Sequence, residues 1–171
     1  MLAEILAAKI KPKEKERQII ELLNNGAINK NSLIEFYQKA NDSGRGYCMA
    51  VITAMTKVDK QFADDIIDFV IAQLDHKAGR VKWEAAEIVG LSAVAAPEKC
   101  ATAIMPLLKN TEAEGTVARW SAAFALTEIA LNNPAVRQQL LPVFEKIVQS
   151  DESNGVKKIY QKALKQLEKN V

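Results

Sequence analysis

Two tryptophans recur at matching places in the sequence, and a basic residue stands close before each. Trp83 lies in the segment VKWEAAEIVG and Trp120 in VARWSAAFAL, 37 positions later, and an Ala-Ala pair follows each ring at the same distance. Arg80 and Arg119 precede the two rings. Aromatic side chains interleaved with basic groups can bind single-stranded nucleic acid by stacking and charge, or an acidic peptide. The first candidate site is therefore a binding surface.

Further charged residues extend this candidate surface. The predicted central contacts are Arg80, Trp83, Glu87, Arg119 and Trp120. A predicted basic edge is formed by Lys82, Lys157 and Lys158. The last predicted helix has a basic stripe that is either a solvated face or a contact for an acidic partner. The stripe consists of Lys158, Lys162, Lys165 and Lys169. The alternative for the tryptophans is burial between helices, since aromatic residues at helical spacing are usually core.

The residues that could support catalysis or bind a metal are few. His76 is the only histidine, and its place between Asp75 and Lys77 is typical of an exposed helix end. Cys48 and Cys100 are 52 residues apart, which makes a zinc site with the single histidine improbable. The acidic cluster, better explained as a solvated helix face than as a cation site, is Asp64, Asp65 and Asp68. We predict no enzyme activity, no metal and no cofactor.

Composition indicates one globular helical domain. The chain has 171 residues, of which 49% are hydrophobic and 26% charged, and its formal net charge is +2. These values exclude a disordered chain, and the charge is too small to indicate a nucleic-acid or membrane partner by itself. No apolar run approaches the ~20 residues of a membrane span. We expect a reduced, cytoplasmic protein, because neither cysteine has a nearby pairing partner in the sequence.

Helical periodicity and punctuation divide the chain into short-linked helices. Glycine and proline are rare, and the segments between them are rich in residues compatible with helix. The predicted helices lie at about 2–10, 13–24, 31–41, 46–57, 60–75, 80–95, 97–109, 116–131, 134–149 and 156–169. The connections between them are short, so neighbouring helices should pack as antiparallel pairs.

The tryptophan segments belong to a longer repeat. Fainter copies of the pattern occur at 46–55 and 156–167, and Pro106 and Pro142 are 36 positions apart in the preceding helices. Two helices that recur every 35–39 residues indicate an α-solenoid. One helical pair cannot bury both of its apolar faces, so it stacks on another pair.

These segments resemble the HEAT-repeat family. The first-helix step of that family appears as Met105-Pro106-Leu107, and its second-helix signature as Val81-Lys82 with Ala85-Ala86. The copy at 46–55 departs most from this signature. The resemblance implies an all-α, right-handed α-α superhelix of the HEAT/ARM type, in which the second helices line the concave surface. We expect one domain over 1–171, with an N-terminal cap at 1–24 and hairpins at about 30–57, 59–95, 97–131 and 134–169.

The resemblance implies a non-catalytic protein–protein interaction module or scaffold with a protein or peptide partner. The alternative is nucleic-acid binding on the concave face, because DNA glycosylases that remove alkylated bases are built from similar repeats. Trp83, Glu87 and Arg119 look loosely similar to the residues of that family. Glu87 stands where that family has Asp, however, and Gln166 stands about where another tryptophan is expected. The low net charge also disfavours a grip on duplex DNA.

Overall fold

The computed structural model describes residues 1–169, which form eleven α-helices and no β-strand. The helices are α1 (Leu2–Ala7), α2 (Pro12–Asn24), α3 (Lys30–Lys39), α4 (Asp42–Val58), α5 (Ile67–Ala72), α6 (Gly79–Ser92), α7 (Pro97–Ala101), α8 (Ile104–Asn110), α9 (Thr116–Asn132), α10 (Pro134–Ser150) and α11 (Asn154–Lys169). Short 3-10 segments, Asp64–Ile66 and Gln73–Asp75, flank α5. The all-helical prediction is confirmed for this part of the chain. Among these helices, none combines the length and hydropathy that crossing a bilayer would require.

The helices stack in layers of two. Each layer has a first helix on one side and a second helix on the other, in the pairs α3/α4, α5/α6, α7–α8/α9 and α10/α11, and the second helix is the longer one in the first three pairs. The second helices lie side by side in chain order, since α4 packs on α6, α6 on α9 and α9 on α11, while α2 packs on α4 at the N-terminal end. One apolar core continues through all the layers. Each helix pair therefore covers the apolar side of the next.

Small side chains allow the second helices to approach closely. The repeated alanines are fully or almost fully buried: Ala85, Ala86, Ala122 and Ala123. A Cβ added to Gly90 of α6 would lie 2.6 Å from Cε1 of Phe124 and 3.1 Å from Cα of Ala125, both on α9. The absence of a side chain at Gly90 therefore allows this close approach of α6 and α9.

Ion pairs join successive layers on the side of the first helices. The Nζ atom of Lys99 lies 2.7 Å from Oδ1 of Asp64, and Lys30 binds Asp65. Both lysines stand 35 residues from their partners, so each pair spans one repeat. Two of the three carboxylates in the acidic cluster are thus bound by lysines of the neighbouring layers. Within residues 1–169, no group of three or more potential metal ligands is present.

The predicted continuous helix at 97–109 is wrong. Helix α7 ends at Ala101 and the chain resumes helical structure only at Ile104. Pro106 explains the break, because its nitrogen has no hydrogen and its ring would clash with the carbonyl of Thr102 in an unbroken helix. In the first turn of α8 the proline is tolerated.

The predicted helix at 60–75 is also interrupted. A turn precedes the 3-10 segment, and the carboxylate of Asp59 accepts a hydrogen bond from the backbone N–H of Gln61 at 3.0 Å. The apolar stripe of this segment is nevertheless buried at Ile66, Ile67, Val70 and Leu74. Helix α4 begins four residues earlier than predicted, because the Asn41 side chain accepts from the N–H of Gly44 and caps the helix.

Candidate functional site

The four second helices α4, α6, α9 and α11 present equivalent positions side by side. The fifth residues of these helices, in chain order, are Gly46, Trp83, Trp120 and Lys158. The ninth residues are Ala50, Glu87, Phe124 and Lys162. The thirteenth residues are Ala54, Leu91, Glu128 and Gln166. We call this surface the second-helix face. Its chemistry changes from small side chains on α4 through aromatic groups on α6 and α9 to lysines on α11.

Aromatic rings dominate the middle of the second-helix face. Trp120 is 44% exposed, and its ring stacks on that of Phe124 with centroids 6.3 Å apart and planes 15° apart. Val117, one turn earlier on α9, is 51% exposed, and Trp83 on α6 is half-buried. Burial between the hairpins is therefore wrong for Trp120. We call Trp83, Trp120 and Phe124 the aromatic strip.

Phe124 belongs to this surface, although the sequence pattern does not indicate it. Its position equals that of Glu87 in the preceding repeat, so the repeat pattern gives no aromatic signal there. Its spacing of four residues from Trp120 and its contact with the helix at Gly90 place its ring beside the tryptophan.

Arg80 connects three helices of the N-terminal half. Its Nη2 atom lies 2.8 Å from Oε1 of Glu16 on α2, and its guanidinium carbon lies 4.8 Å from the ring centroid of Tyr47 on α4. Its Cδ atom would be 2.9 Å from a Cβ at Gly46, so the side chain fills the space that this glycine leaves. The Arg80 charge is thus already paired within the chain.

Arg119 holds the loop before α9. Its Nε atom donates to Oδ2 of Asp151 at 3.0 Å, and Nη1 donates to the carbonyls of Ala113 and Glu114 at 2.9 Å each. The side chains of the ion pair are only 16% and 5% exposed. The pair lies at a cleft of about 450 Å³ between this loop and the end of α10. The two arginines of the predicted site are therefore anchored in the fold.

Carboxylates on α6 are bound by α4. Glu87 forms an ion pair with Lys57 at 2.7 Å. Glu84 is buried, and its Oε2 atom accepts a hydrogen bond from the Thr53 hydroxyl at 2.6 Å. Burial raises the pKa of the Glu84 carboxyl, while the Thr53 hydrogen bond and the nearby Arg80 act in the opposite direction.

Lysines occupy the C-terminal part of the second-helix face. The residues at spacings of three and four on α11, which we call the lysine row, are Lys158, Lys162, Lys165 and Lys169. They line a shallow groove of about 390 Å³ together with Gln161 and Gln166. Burial raises the pKa of Glu128 on α9, and Lys162 and Lys60 counter that rise. Lys162 is therefore close to the last charged group of α9.

The remaining residues of the predicted basic edge lie near the helix starts. Lys82 on α6 and Lys157 on α11 are half-buried. Within residues 1–169 neither forms an ion pair. The three lysines of the predicted basic edge are thus unpaired within the described residues, whereas the two predicted arginines, Arg80 and Arg119, are bound to Glu16 and Asp151.

The other reactive groups serve packing or local structure. His76 accepts a hydrogen bond at Nδ1 from the backbone N–H of Ala78 at 3.0 Å, and its Nε2 lies 3.4 Å from Nη1 of Arg45. Cys48 and Cys100 are buried, and burial raises the pKa of each thiol to about 12. Both cysteines are therefore protonated and poorly nucleophilic in the folded chain.

Two members of the glycosylase-like constellation, Glu87 and Arg119, are bound by other residues of the chain. Glu87 is bound to Lys57 on the side of α4, whereas Arg119 is bound to Asp151 beside the cleft before α9. Of the predicted central contacts, the two tryptophans Trp83 and Trp120 are therefore the residues left to contact a partner directly.

Comparisons with known proteins support the architecture. No family model and no curated protein matches the sequence. Among solved structures, a designed armadillo repeat protein in complex with the peptide (KR)4 matches 96% of this chain and 79% of its own, with a TM-score of 0.73 and 22% identity. The chain has a HEAT/armadillo-like helical repeat fold. An engineered protein matches 98% of this armadillo-like chain and 78% of its own, with a TM-score of 0.74 and 16% identity. The predicted solenoid is confirmed.

Proposed function

We propose that this chain is a non-catalytic repeat module that binds a peptide segment of a partner protein across α6, α9 and α11. The observation that supports this most directly is the aromatic strip, in which the exposed Trp120 stacks on the half-buried Phe124 at the middle of the second-helix face. Tryptophan is enriched among residues that dominate binding energy, because one ring offers a large contact area at a small entropic cost.

The surroundings of the strip favour binding with little rearrangement. Arg80, Glu87 and Arg119 are each fixed by an ion pair, so the helices that hold the rings are tied to their neighbours. A partner therefore binds a surface that folding has already ordered, so this chain loses little conformational entropy on binding. We assign Trp83 and Trp120 to direct contact, and Arg80, Glu87 and Arg119 to the support of that contact.

The armadillo-like neighbour supports peptide binding as the mode of recognition. That designed protein is in complex with (KR)4, a basic peptide. The present chain has a different charge pattern, with lysines on α11 beside its aromatic strip.

The buried free thiols of Cys48 and Cys100 further support the expectation of a reducing, cytoplasmic setting.

Selection from a random dodecapeptide phage library tests the proposal. We expect peptides that bind the wild-type chain to lose about 30-fold or more in affinity for Trp120→Ala, and less for Trp83→Ala, whose ring is half-buried. Met105→Ala is the matched control, because Met105 is 70% exposed on α8, on the side of the first helices. Far-ultraviolet circular dichroism checks that each variant is folded. Equal enrichment on wild type and both tryptophan variants would contradict the proposal.

A separate measurement addresses the nucleic-acid alternative. Affinity for duplex DNA is measured across a series of salt concentrations. Binding through phosphate contacts loses affinity steeply as salt rises. We expect only weak binding by the wild-type chain, because its formal net charge is +2 and both predicted arginine contacts are paired internally.

A further inference from the structure

The lysine row and the aromatic strip lie on neighbouring helices of one face. On α9, Trp120, Phe124 and Glu128 follow one another at four-residue spacing, so they share one side of the helix. Helix α11 packs directly on α9. Lys162 occupies the same position of α11 as Phe124 does of α9, which places the lysine row beside the rings.

Ion pairs within residues 1–169 neutralise the lysines that join successive layers but not those of the lysine row. Lys57 and Lys99 each form an ion pair with an adjacent layer at 2.7 Å. Within residues 1–169, by contrast, Lys158, Lys162 and Lys165 form no ion pair. Three exposed ammonium groups at helical spacing thus concentrate positive charge along one side of α11.

We propose that the segment bound on the second-helix face is an acidic peptide with one large apolar side chain. This inference rests on the proposed function. The apolar side chain packs on Trp120 and Phe124, and carboxylates of the same peptide meet Lys158, Lys162 and Lys165.

The spacing of the two features defines the arrangement of the peptide. Packed helices are about 8–10 Å apart, and an extended chain advances about 3.3 Å per residue. A peptide that crosses from α9 to α11 therefore places its carboxylates about two to four residues from its apolar side chain. Because the lysines follow one another along α11 at about 5–6 Å and the side chains of an extended chain alternate, two acidic residues separated by one other residue can each reach a different ammonium group.

The same face disfavours other partners. Glu87 and Glu128 lie on α6 and α9, so a nucleic acid that crosses the aromatic strip would bring phosphates close to two carboxylates. A basic peptide would be repelled by the lysine row. An acidic peptide places its carboxylates on the lysine row, where three ammonium groups outweigh the single nearby carboxylate of Glu128.

The test uses the peptide library with two charge-matched variants of the whole chain. Lys158→Gln/Lys162→Gln/Lys165→Gln removes three charges from the row, and Lys13→Gln/Lys39→Gln/Lys146→Gln removes three exposed lysine charges elsewhere. We expect the enriched peptides to be acidic and to contain an apolar residue two to four positions from the acids. The most enriched sequence, labelled with fluorescein, should bind the row variant about tenfold more weakly and the control variant less than twofold more weakly.

A matched peptide with glutamine in place of glutamate repeats the comparison without altering the chain. It should bind wild type about tenfold more weakly, and added salt should reduce only the affinity of the acidic form. Enrichment without acidic bias, or equal losses in the two variants, would overturn the inference and leave peptide binding intact. If the enrichment of peptides does not depend on Trp83 or Trp120, the proposed function is instead contradicted. Displacement of the peptide by oligothymidylate at lower concentration than by unlabelled peptide would show a nucleic-acid site and also overturn the inference.

Discussion

Replacement of Arg119 by alanine separates a structural role for this residue from a role in binding. The change removes one bond to the Asp151 carboxylate and two to backbone carbonyls. Asp151 is left with the Ser153 N–H at 2.7 Å as its remaining donor, and its side chain is only 5% exposed. Removing one partner of a buried ion pair costs roughly 3–5 kcal/mol. The pair borders an open cleft that admits solvent, so we expect about 3 kcal/mol.

Urea denaturation and thermal melting measure this loss. For a chain of this length, about 3 kcal/mol corresponds to a decrease in Tm of roughly 6–12 °C. Arg137→Ala is the matched control, because Arg137 donates to the carbonyls of Ala130 and Leu131 and pairs with no carboxylate within residues 1–169. It should lose about half as much. If Arg119→Ala changes the free energy of unfolding by less than about 0.5 kcal/mol, as an ordinary surface substitution does, the structural assignment of Arg119 is refuted.

Two further predictions concern packing and pH. Gly90→Ala gains about 1 kcal/mol of helix propensity, but it places a Cβ 2.6 Å from the Phe124 ring and 3.1 Å from the Ala125 backbone. We therefore expect urea denaturation to show a net loss of about 1 kcal/mol in the free energy of unfolding. Gly79→Ala, whose Cβ meets nothing within 4 Å, should be neutral or stabilising, and a similar gain for Gly90→Ala would contradict the close approach of α6 and α9. For Glu84, burial raises the pKa of the carboxyl in the folded state above the ordinary 4.5. The folded state therefore binds more protons than the unfolded state, and the free energy of unfolding decreases as pH rises from 4.5 through the raised pKa. Glu84→Gln should therefore reduce the fall in unfolding free energy between pH 4.5 and neutrality, and parallel pH curves for the two proteins would show that the carboxyl is not desolvated.

The fold could be predicted because its requirements repeat. In the middle of the stack each second helix packs between two others, so alanine pairs recur at Ala85-Ala86 on α6 and Ala122-Ala123 on α9. The same requirement produced the 37-residue spacing of Trp83 and Trp120. The breaks in α-helix at 60–66 and 102–103 were not predicted, because apolar periodicity continues across them.

The pairing of charges was beyond reach of the sequence. Arg80 binds Glu16 across 64 residues, a contact that no helical period links to its own position. Arg119 pairs with Asp151 through the loop geometry before α9 and after α10. Basic residues that begin equivalent helices therefore looked alike in sequence but differ in availability once the layers are stacked.

The contrast between buried and exposed positions explains why such a chain shows its architecture more readily than its partner. At the buried positions, any change must fit two neighbouring helices, so the repeats agree there. At the fifth position of the second helices the chain has Gly46, Trp83, Trp120 and Lys158 in turn, from a buried glycine through a half-buried ring to two exposed side chains. That variation is free of packing constraints at Trp120 and Lys158, which are exposed. We therefore expect partner recognition to depend on exposed positions such as Trp120 and Lys158, where packing does not fix the side chain.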